Sequence, residues 1–235
     1  MVISPQALAV CGVQTPSLVE VAPGYWLAES VIPAWLSLQA DAALAGFLLR
    51  IESAHRPFAR QLSIWNRKAR GELKLLDPQG NSLDALSLAP EARMQAILHW
   101  SALPGTSRHH WGSDLDICDG NAIPAGYEVD LTPAEVAPEG MFGPMHAWLD
   151  ERMAKQQAHG FFRPFRTGIG SIQPERWHLS HAPTAHHMQR HFSPTVLREL
   201  LEQSHMELLE PVLAHLDTIL QNTVYPYFNT ESTLV

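Results

Sequence analysis

The chain predicts an α+β domain, on three observations. Helix-period and strand-period segments follow one another without regular β–α–β alternation, which argues against a doubly wound parallel sheet. Apolar residues make up 46% of the 235 positions, so a core can form without disulfide staples. No internal repeat or low-complexity linker divides the chain. It reads as one domain with extensions at both ends.

The elements are expected in this order. Residues 1–32 read as irregular, with Pro5, Pro16, Pro23 and Gly24 as breaks. Pro33 to Leu44 carries Trp35, Leu36, Leu38, Ala42 and Ala43 at helical spacing, with Pro33 suited to a first turn. Gly46 to Glu52 reads as a strand and Ser53 to Pro57 as a turn. Phe58 to Lys68 is expected to be a helix with Phe58, Leu62 and Trp65 on one face. Residues 70–89 form a long loop, and Pro90 to Trp100 a helix with Met94, Ile97 and Leu98 inward. Leu103 to Ser107 is a turn, Asp114 to Cys118 alternates like a strand, and 119–142 is loop-rich. Pro144 to Ala158 is a helix stopped by Gly160. Phe161 to Ile172 reads as a strand or hairpin. Ser193-Pro-Thr caps a long helical region, interrupted by Pro211, that ends near Asn222.

Composition narrows the partners. Net charge is −8 and Lys and Arg form no run, so neither nucleic acid nor an anionic membrane is an expected partner. Charged residues are only 17%, which with the apolar fraction argues against disorder. No stretch approaches the ~18 apolar residues of a spanning helix. Met1 to Cys11 has no basic start, and its short apolar run is broken by Pro5 and Gln6. It does not read as an export signal. The expected location is cytoplasmic, with periplasmic the alternative if a leader has been removed. Cys11 and Cys118 read as free thiols in a reducing compartment, the alternative being one disulfide in an exported protein.

Chemistry concentrates in two stretches about sixty residues apart: Ser107-Arg-His-His-Trp-Gly-Ser-Asp-Leu-Asp116 and Pro174-Glu-Arg-Trp-His178. His109, Asp116 and His178 can supply three ligands to one zinc ion and leave a fourth position for water. Two neutral imidazoles and one carboxylate leave that site at net positive charge, which acidifies water and polarises a carbonyl. His109 and Asp116 are seven apart, opposite faces of an unbroken strand. Gly112 between them permits a bulge or tight turn that resets the phase. Asp114 then shares a face with Asp116 and is a rival ligand. Glu175 and His178 are three apart. They can meet only across a turn, which Pro174 would introduce. Glu175 is then placed to take a proton from the attacking water and return it to the leaving amine.

In these motifs the chain resembles the zinc D-Ala-D-Ala carboxypeptidase and dipeptidase family, which includes the vancomycin-resistance peptidases. The family pattern Ser-x-His-x-x-Gly-x-Ala-x-Asp, then Glu-x-Trp-His, is met at Ser107, His109, Gly112, Asp116, Glu175, Trp177 and His178. Asp114 stands where the family commonly has a small or apolar residue. The Ser-x-His register selects His109 over His110, which is then a neighbour of the site or exposed. Upstream, Ser53-Ala-His-Arg-Pro-Phe-Ala-Arg-Gln61 is similar to the family's Ser-Gly-Tyr-Arg-Ser segment and its following Gln. The resemblance implies that Arg56 binds substrate and stabilises the oxyanion. It implies that Ser107 and Gln61 position the substrate or its terminal carboxylate; the alternatives are a structural ion pair, a turn hydroxyl and an exposed helix residue.

The resemblance covers roughly 45–182, leaving 1–44 and 183–235 as extensions of a single zinc peptidase domain spanning 1–235. It implies a small antiparallel sheet flanked by helices, of the Hedgehog/DD-peptidase kind, with extra C-terminal helices and one Zn2+ on an open face. It implies zinc-dependent hydrolysis of a peptide bond involving D-alanine, on peptides containing D-amino acids. The alternatives are a peptidoglycan endopeptidase of the L-Ala-D-Glu type and a catalytically silent zinc module that binds cell-wall fragments. Trp177 reads as a packing residue, and Cys118 as a buried inert thiol or a neighbour of the metal. His181, His186, His187 and His191 read as solvated, the alternative being an adventitious metal site at His187 and His191, neighbours in a helix. Arg163 and Arg166 would attract anionic stem peptides or pair with acids. Leu197, Leu200, Leu201, Leu208 and Leu209 form a stripe read as core or as the contact of a homodimer through the C-terminal helices.

Overall fold

The computed structural model describes residues 4–228. Met1 to Ile3, the start of the segment read for an export signal, lie outside the described residues. Helix α1 (Pro5–Val10) starts at Ser4, whose hydroxyl accepts from the Ala7 N–H, with Pro5 in the first turn. Strands β1 (Leu18–Ala22) and β2 (Tyr25–Ala28) form a hairpin around Pro23 and Gly24. The first 32 residues are therefore not irregular: two of the prolines read as breaks sit where a helix begins and where a hairpin turns.

Helix α2 (Ile32–Leu44), strand β3 (Leu49–Ser53) and helix α3 (Phe58–Ala69) fall close to expectation. The long loop contains a small ladder of β4 (Leu75–Leu76) and β5 (Ser82–Leu83), turned by the Asp77 carboxylate bonding the Gln79 and Asn81 amides. Helix α4 (Pro90–Leu98) leads to a 3-10 turn at Arg108–Trp111 and strand β6 (Asp114–Asp119). After α5 (Pro133–Val136), helix α6 (Gly143–Ala154) stops short of Ala158, because Gln156 takes a left-handed φ of 55°. The strand expected over 161–172 is only β7 (Phe161–Phe162); the rest is irregular. Strand β8 (His178–His181) is followed by α7 (Ala182–Gln189). The long C-terminal helical region is three pieces: α8 (Pro194–Glu202), α9 (Leu209–Ala214) and α10 (Leu216–Thr223). Pro211 does not interrupt it. It sits in the first turn of α9, and the break precedes Leu208, whose φ is 60°.

Four strands make one antiparallel sheet in the order β3-β6-β8-β7. Strand alternation sorts its two faces. Leu49, Ile51, Leu115, Ile117 and Leu179 pack with Trp35, Leu38 and Ala42 of α2 and Met145 and Leu149 of α6. Asp114, Asp116, His178 and Ser180 occupy the other face. A second core joins α3 and α4 to the C-terminal helices through Trp65, Met94, Ile97, Leu197, Leu201, Val212, Leu216 and Ile219. Leu197 and Leu201 are fully buried there, and Leu208 and Leu209 pack against the same cluster. The stripe that suggested a homodimer contact is thus engaged inside one chain. Among the described residues no helix is long and apolar enough to cross a membrane.

Candidate metal centre

Sheet pairing brings the motifs together. In the β6–β8 ladder Asp116 stands directly opposite His178, and Asp114 opposite Ser180. His109 arrives from the 3-10 turn. Gly112 closes that turn at φ 67° and hands the chain to β6. A side chain at this glycine would meet the Ala28 backbone nitrogen at 2.9 Å, and that nitrogen donates to the Gly112 carbonyl. Glycine is therefore required twice, for the left-handed φ and for the close approach of β2. Glu175 precedes β8, and its carbonyl accepts from the His178 N–H at 3.2 Å, the turn that the three-residue spacing demands.

The candidate donor atoms converge. His109 Nε2 lies 3.3 Å from Asp116 Oδ2, and His178 Nδ1 lies 3.2 Å from Asp116 Oδ1. Asp116 Oδ1 is buried with no hydrogen bond among the described residues, despite that short approach. Bonds of ~2.0–2.1 Å around a tetrahedral ion give edges of about 3.3 Å, the spacing seen here. The other ring nitrogens fix the tautomers. His109 Nδ1 is 2.9 Å from the Ala54 carbonyl oxygen and His178 Nε2 is 2.9 Å from Asp114 Oδ1. Each ring donates outward and keeps a lone pair for the common point. The three residues fit one metal ion.

Asp114 is the partner of a ligand and not its rival. It is fully buried and bonds His178, the Ser180 hydroxyl, the Ser113 hydroxyl and Arg108 Nε. Burial alone would push its carboxyl up, but the Arg108 guanidinium and His178 hold it well below the usual range. Asp116 is likewise held low, its burial outweighed by His109 and His178. His178 shows the reverse. Burial pushes its imidazolium down, yet Asp114, Asp116 and Glu175 together hold it well above its usual value. A buried point faced by so much negative charge calls for a cation.

Arg56 is held by the first motif and by its own segment. Its N–H donates to the His109 carbonyl at 3.1 Å, and its carbonyl lies 2.5 Å from His110 Nδ1. His110 is fully buried and accepts from the Gly105 N–H at Nε2. Burial pushes it down to about 3, so it is a neutral strut and not an exposed side chain. The Arg56 guanidinium donates to Gln61 Oε1 at 2.9 Å and Ser53 Oγ at 2.8 Å. Gln61 is buried, and its amide donates to the Ala102 carbonyl. Both ends of Gln61 are engaged behind Arg56, outside the cavity wall.

A cavity of about 270 Å³ lies over the donor cluster. Arg56, Ser107, His109, Asp116, Glu175, Trp177 and His178 line it. So do Thr223, Val224, Tyr227 and Phe228, from the C-terminal segment. The donor cluster therefore opens onto this cavity. Glu175 Oε2 stands 3.3 Å from His178 Nδ1 with its side chain 14% exposed, reachable from the cavity. Cys118 points elsewhere, to Glu52 at 2.9 Å, among Trp177, Phe142 and Val136. Both cysteines are free and buried. Arg163 pairs with Asp150 and lies against His146.

Sequence reasoning missed Arg108, Lys68, Tyr227 and Phe228. Arg108 donates to Asp114, to Ser180 Oγ at 2.6 Å and to the Tyr227 carbonyl at 3.2 Å, with its guanidinium 4.7 Å from the Trp111 ring. Its place between Ser107 and His109 was the available signal. Nothing local marks Tyr227, which lies far along the chain from either motif.

The VanY family model, D-alanyl-D-alanine carboxypeptidase, matches residues 24–184. An uncharacterized protein of Haemophilus influenzae is 43% identical over 79 residues, 34% of this chain; the chain spans about half of that relative, 54% of its length. Two solved structures share the fold. The vancomycin-resistance D,D-pentapeptidase VanY of a VanB-type cassette, a Glu-to-Ala mutant bound to Zn(II), aligns with TM-score 0.51 at 19% identity over 84% of this chain and 89% of its own. VanYB in complex with D-alanine-D-alanine aligns with TM-score 0.50 at 20% identity over 81% and 91%. With the His-Asp-His cluster assembled on that fold and more than half of its length matched, the chain is a metallopeptidase of the VanY D-alanyl-D-alanine carboxypeptidase family.

Proposed function

We propose that this protein is a zinc-dependent peptidase that hydrolyses the bond before a C-terminal D-alanine, as a D-alanyl-D-alanine carboxypeptidase or dipeptidase. The observation that carries the reading is the Glu175 carboxylate beside the donor cluster, 3.3 Å from His178 Nδ1, in a cavity whose wall includes Arg56. A binding module needs no such base. VanYB, of the same fold, is known in complex with D-alanine-D-alanine.

His109 Nε2, Asp116 and His178 Nδ1 would hold the ion. When bound, zinc supplies Lewis acidity, acidifying water and polarising a carbonyl. Glu175 accepts the proton of the attacking water at its carboxylate and delivers it to the departing amine. Arg56 carries a permanent charge to the oxygen that becomes negative. Gln61 and Ser53 hold that guanidinium in place, so Gln61 acts through Arg56 and not on the substrate. Ser107 lines the cavity and offers its hydroxyl to the peptide. The C-terminal segment adds Thr223, Val224, Tyr227 and Phe228 to the cavity lining, which limits the room for a long strand and favours cleavage near a chain end.

Turnover decides this. The zinc-loaded protein should release D-alanine from D-Ala-D-Ala or a stem pentapeptide, and a chelator should abolish release. Glu175→Gln should keep its metal and lose about 100-fold or more of kcat. Full activity in that variant would remove Glu175 as the base, and cleavage only at an internal bond would replace the carboxypeptidase reading with the endopeptidase one.

A further inference from the structure

Three cations line the cavity: Arg56, Arg108 and Lys68. Arg108 is committed to Asp114, Ser180 and the Tyr227 carbonyl. Arg56 is committed to Gln61 and Ser53. Lys68, in the last turn of α3, has fewer partners. Its Nζ donates to Ser101 Oγ at 2.6 Å. Among the described residues no carboxylate forms an ion pair with it, although the chain carries 24 acidic residues against 16 basic ones. An ammonium has three hydrogens to donate, so two remain for a guest. The same cavity is lined by Leu76, Trp100 and Leu131, whose side chains carry no acceptor, and by Asp130, which forms no ion pair with Lys68 among the described residues. Half-burial costs the charged form, and burial pushes Lys68 down to about 8, against the attraction of Glu175 through space. An unpaired cation kept at that cost in a substrate cavity is complementary to an anion. The peptide reading supplies one, the free carboxylate at the substrate's C-terminus. Ser101 also lines the cavity and, having accepted from Lys68, can turn its own hydrogen toward the same oxygen.

We propose that Lys68 Nζ, with the Ser101 hydroxyl, binds the C-terminal α-carboxylate of the peptide substrate and thereby restricts cleavage to the last peptide bond. This rests on the peptidase reading above and adds to it the residue that measures the distance from the chain end. Two residues assigned to the substrate from the sequence, Ser107 and Gln61, then divide differently: Ser107 stays on the cavity wall and Gln61 serves Arg56.

The test uses the full-length, zinc-loaded protein and an N-acylated tripeptide ending in D-Ala-D-Ala, as free acid and as C-terminal amide. The wild type should prefer the acid. Lys68→Met should raise KM for the acid about 10- to 100-fold, the scale of one charge-assisted hydrogen bond, with kcat little changed. It should also bring acid and amide close to parity, and Lys68→Arg should recover part of the preference. Unchanged KM and unchanged discrimination in Lys68→Met, with normal zinc content, would overturn the assignment. Calorimetry in the Glu175→Gln background separates the two readings. Tighter binding of acid than amide that disappears in Lys68→Met supports the carboxylate site even if no bond is cut, in which case the reaction reading fails alone. Binding indifferent to Lys68 sinks this proposal whether or not the enzyme turns over. A preference that tracks a side-chain carboxylate in the peptide, and not its C-terminus, also overturns it.

Discussion

Asp114 shows how one buried carboxylate can serve a metal without touching it. Its Oδ1 lies 2.9 Å from both His178 Nε2 and Arg108 Nε. The first contact fixes which imidazole nitrogen faces the donor cluster, and the second balances the charge. Asp114→Asn keeps the shape but removes the charge that strengthens His178 as a ligand. Metal affinity should fall about 10- to 100-fold, the usual effect of losing such a partner. Competition against a calibrated chelator measures it, and unchanged affinity would return Asp114 to a structural role.

The element that assembles the site is the turn between Arg108–Trp111 and β6. Gly112→Ala puts a methyl against the Ala28 backbone and forces a left-handed φ. We expect a loss of at least ~1–3 kcal/mol, read from the denaturant midpoint, with metal affinity falling in parallel. A stable, tight-binding variant would mean the turn adapts. Helix α6 carries a different sensitivity. His146 is fully buried, with Nδ1 3.2 Å from Arg163 Nη2, and burial, then Arg163 and Arg176, push it down to about 2. In the unfolded chain it titrates near 6.5. Its neutral form is thus favoured by folding: the contribution is whole above about pH 6.5 and is lost as pH falls toward the folded value, by up to ~1.4 kcal/mol per pH unit. His146→Leu should flatten the drop in stability between about pH 6.5 and about pH 4.5. An equal slope in wild type and variant would show that other groups control it.

At the scale of the molecule, the C-terminal segment beyond the family-matched residues is part of the catalytic body. Leu197, Leu201, Val212, Leu216, Ile219 and Leu220 fill the core under α3 and α4, and Tyr227 and Phe228 wall the cavity. The Tyr227 hydroxyl donates to the Ile169 carbonyl at 2.6 Å and accepts from the Ile172 N–H at 2.9 Å. Gly170 lets it approach, since a side chain there would meet that oxygen at 2.5 Å. A chain ended after residue 190 should lose its cooperative thermal transition and its activity, because six large apolar side chains of one core depart together. A truncated protein that melts cooperatively and still cleaves peptides would show that the extension is dispensable.

The sequence by itself determined the ligands' identity and the need for a turn at each motif. His109, Asp116, His178 and Glu175 are readable because metal chemistry restricts residue types, and their odd spacings permit one remedy, a break in the strand. It also determined the main helices and strands, where apolar period is strong. It did not reveal α1, the β1–β2 hairpin or the two-residue strands. Proline at a helix start or a hairpin turn looks the same in sequence as proline in a loop, and two residues carry no period. Only the tertiary structure decided what stands behind and around the ligands. Asp114 as partner and not rival, His110 as a neutral strut, Gln61 behind Arg56, Lys68 bonded to Ser101 in the cavity and Tyr227 on its wall all depend on contacts between segments far apart in sequence. Residue type and local spacing hold no record of such contacts, since the packing of two cores against one sheet creates them.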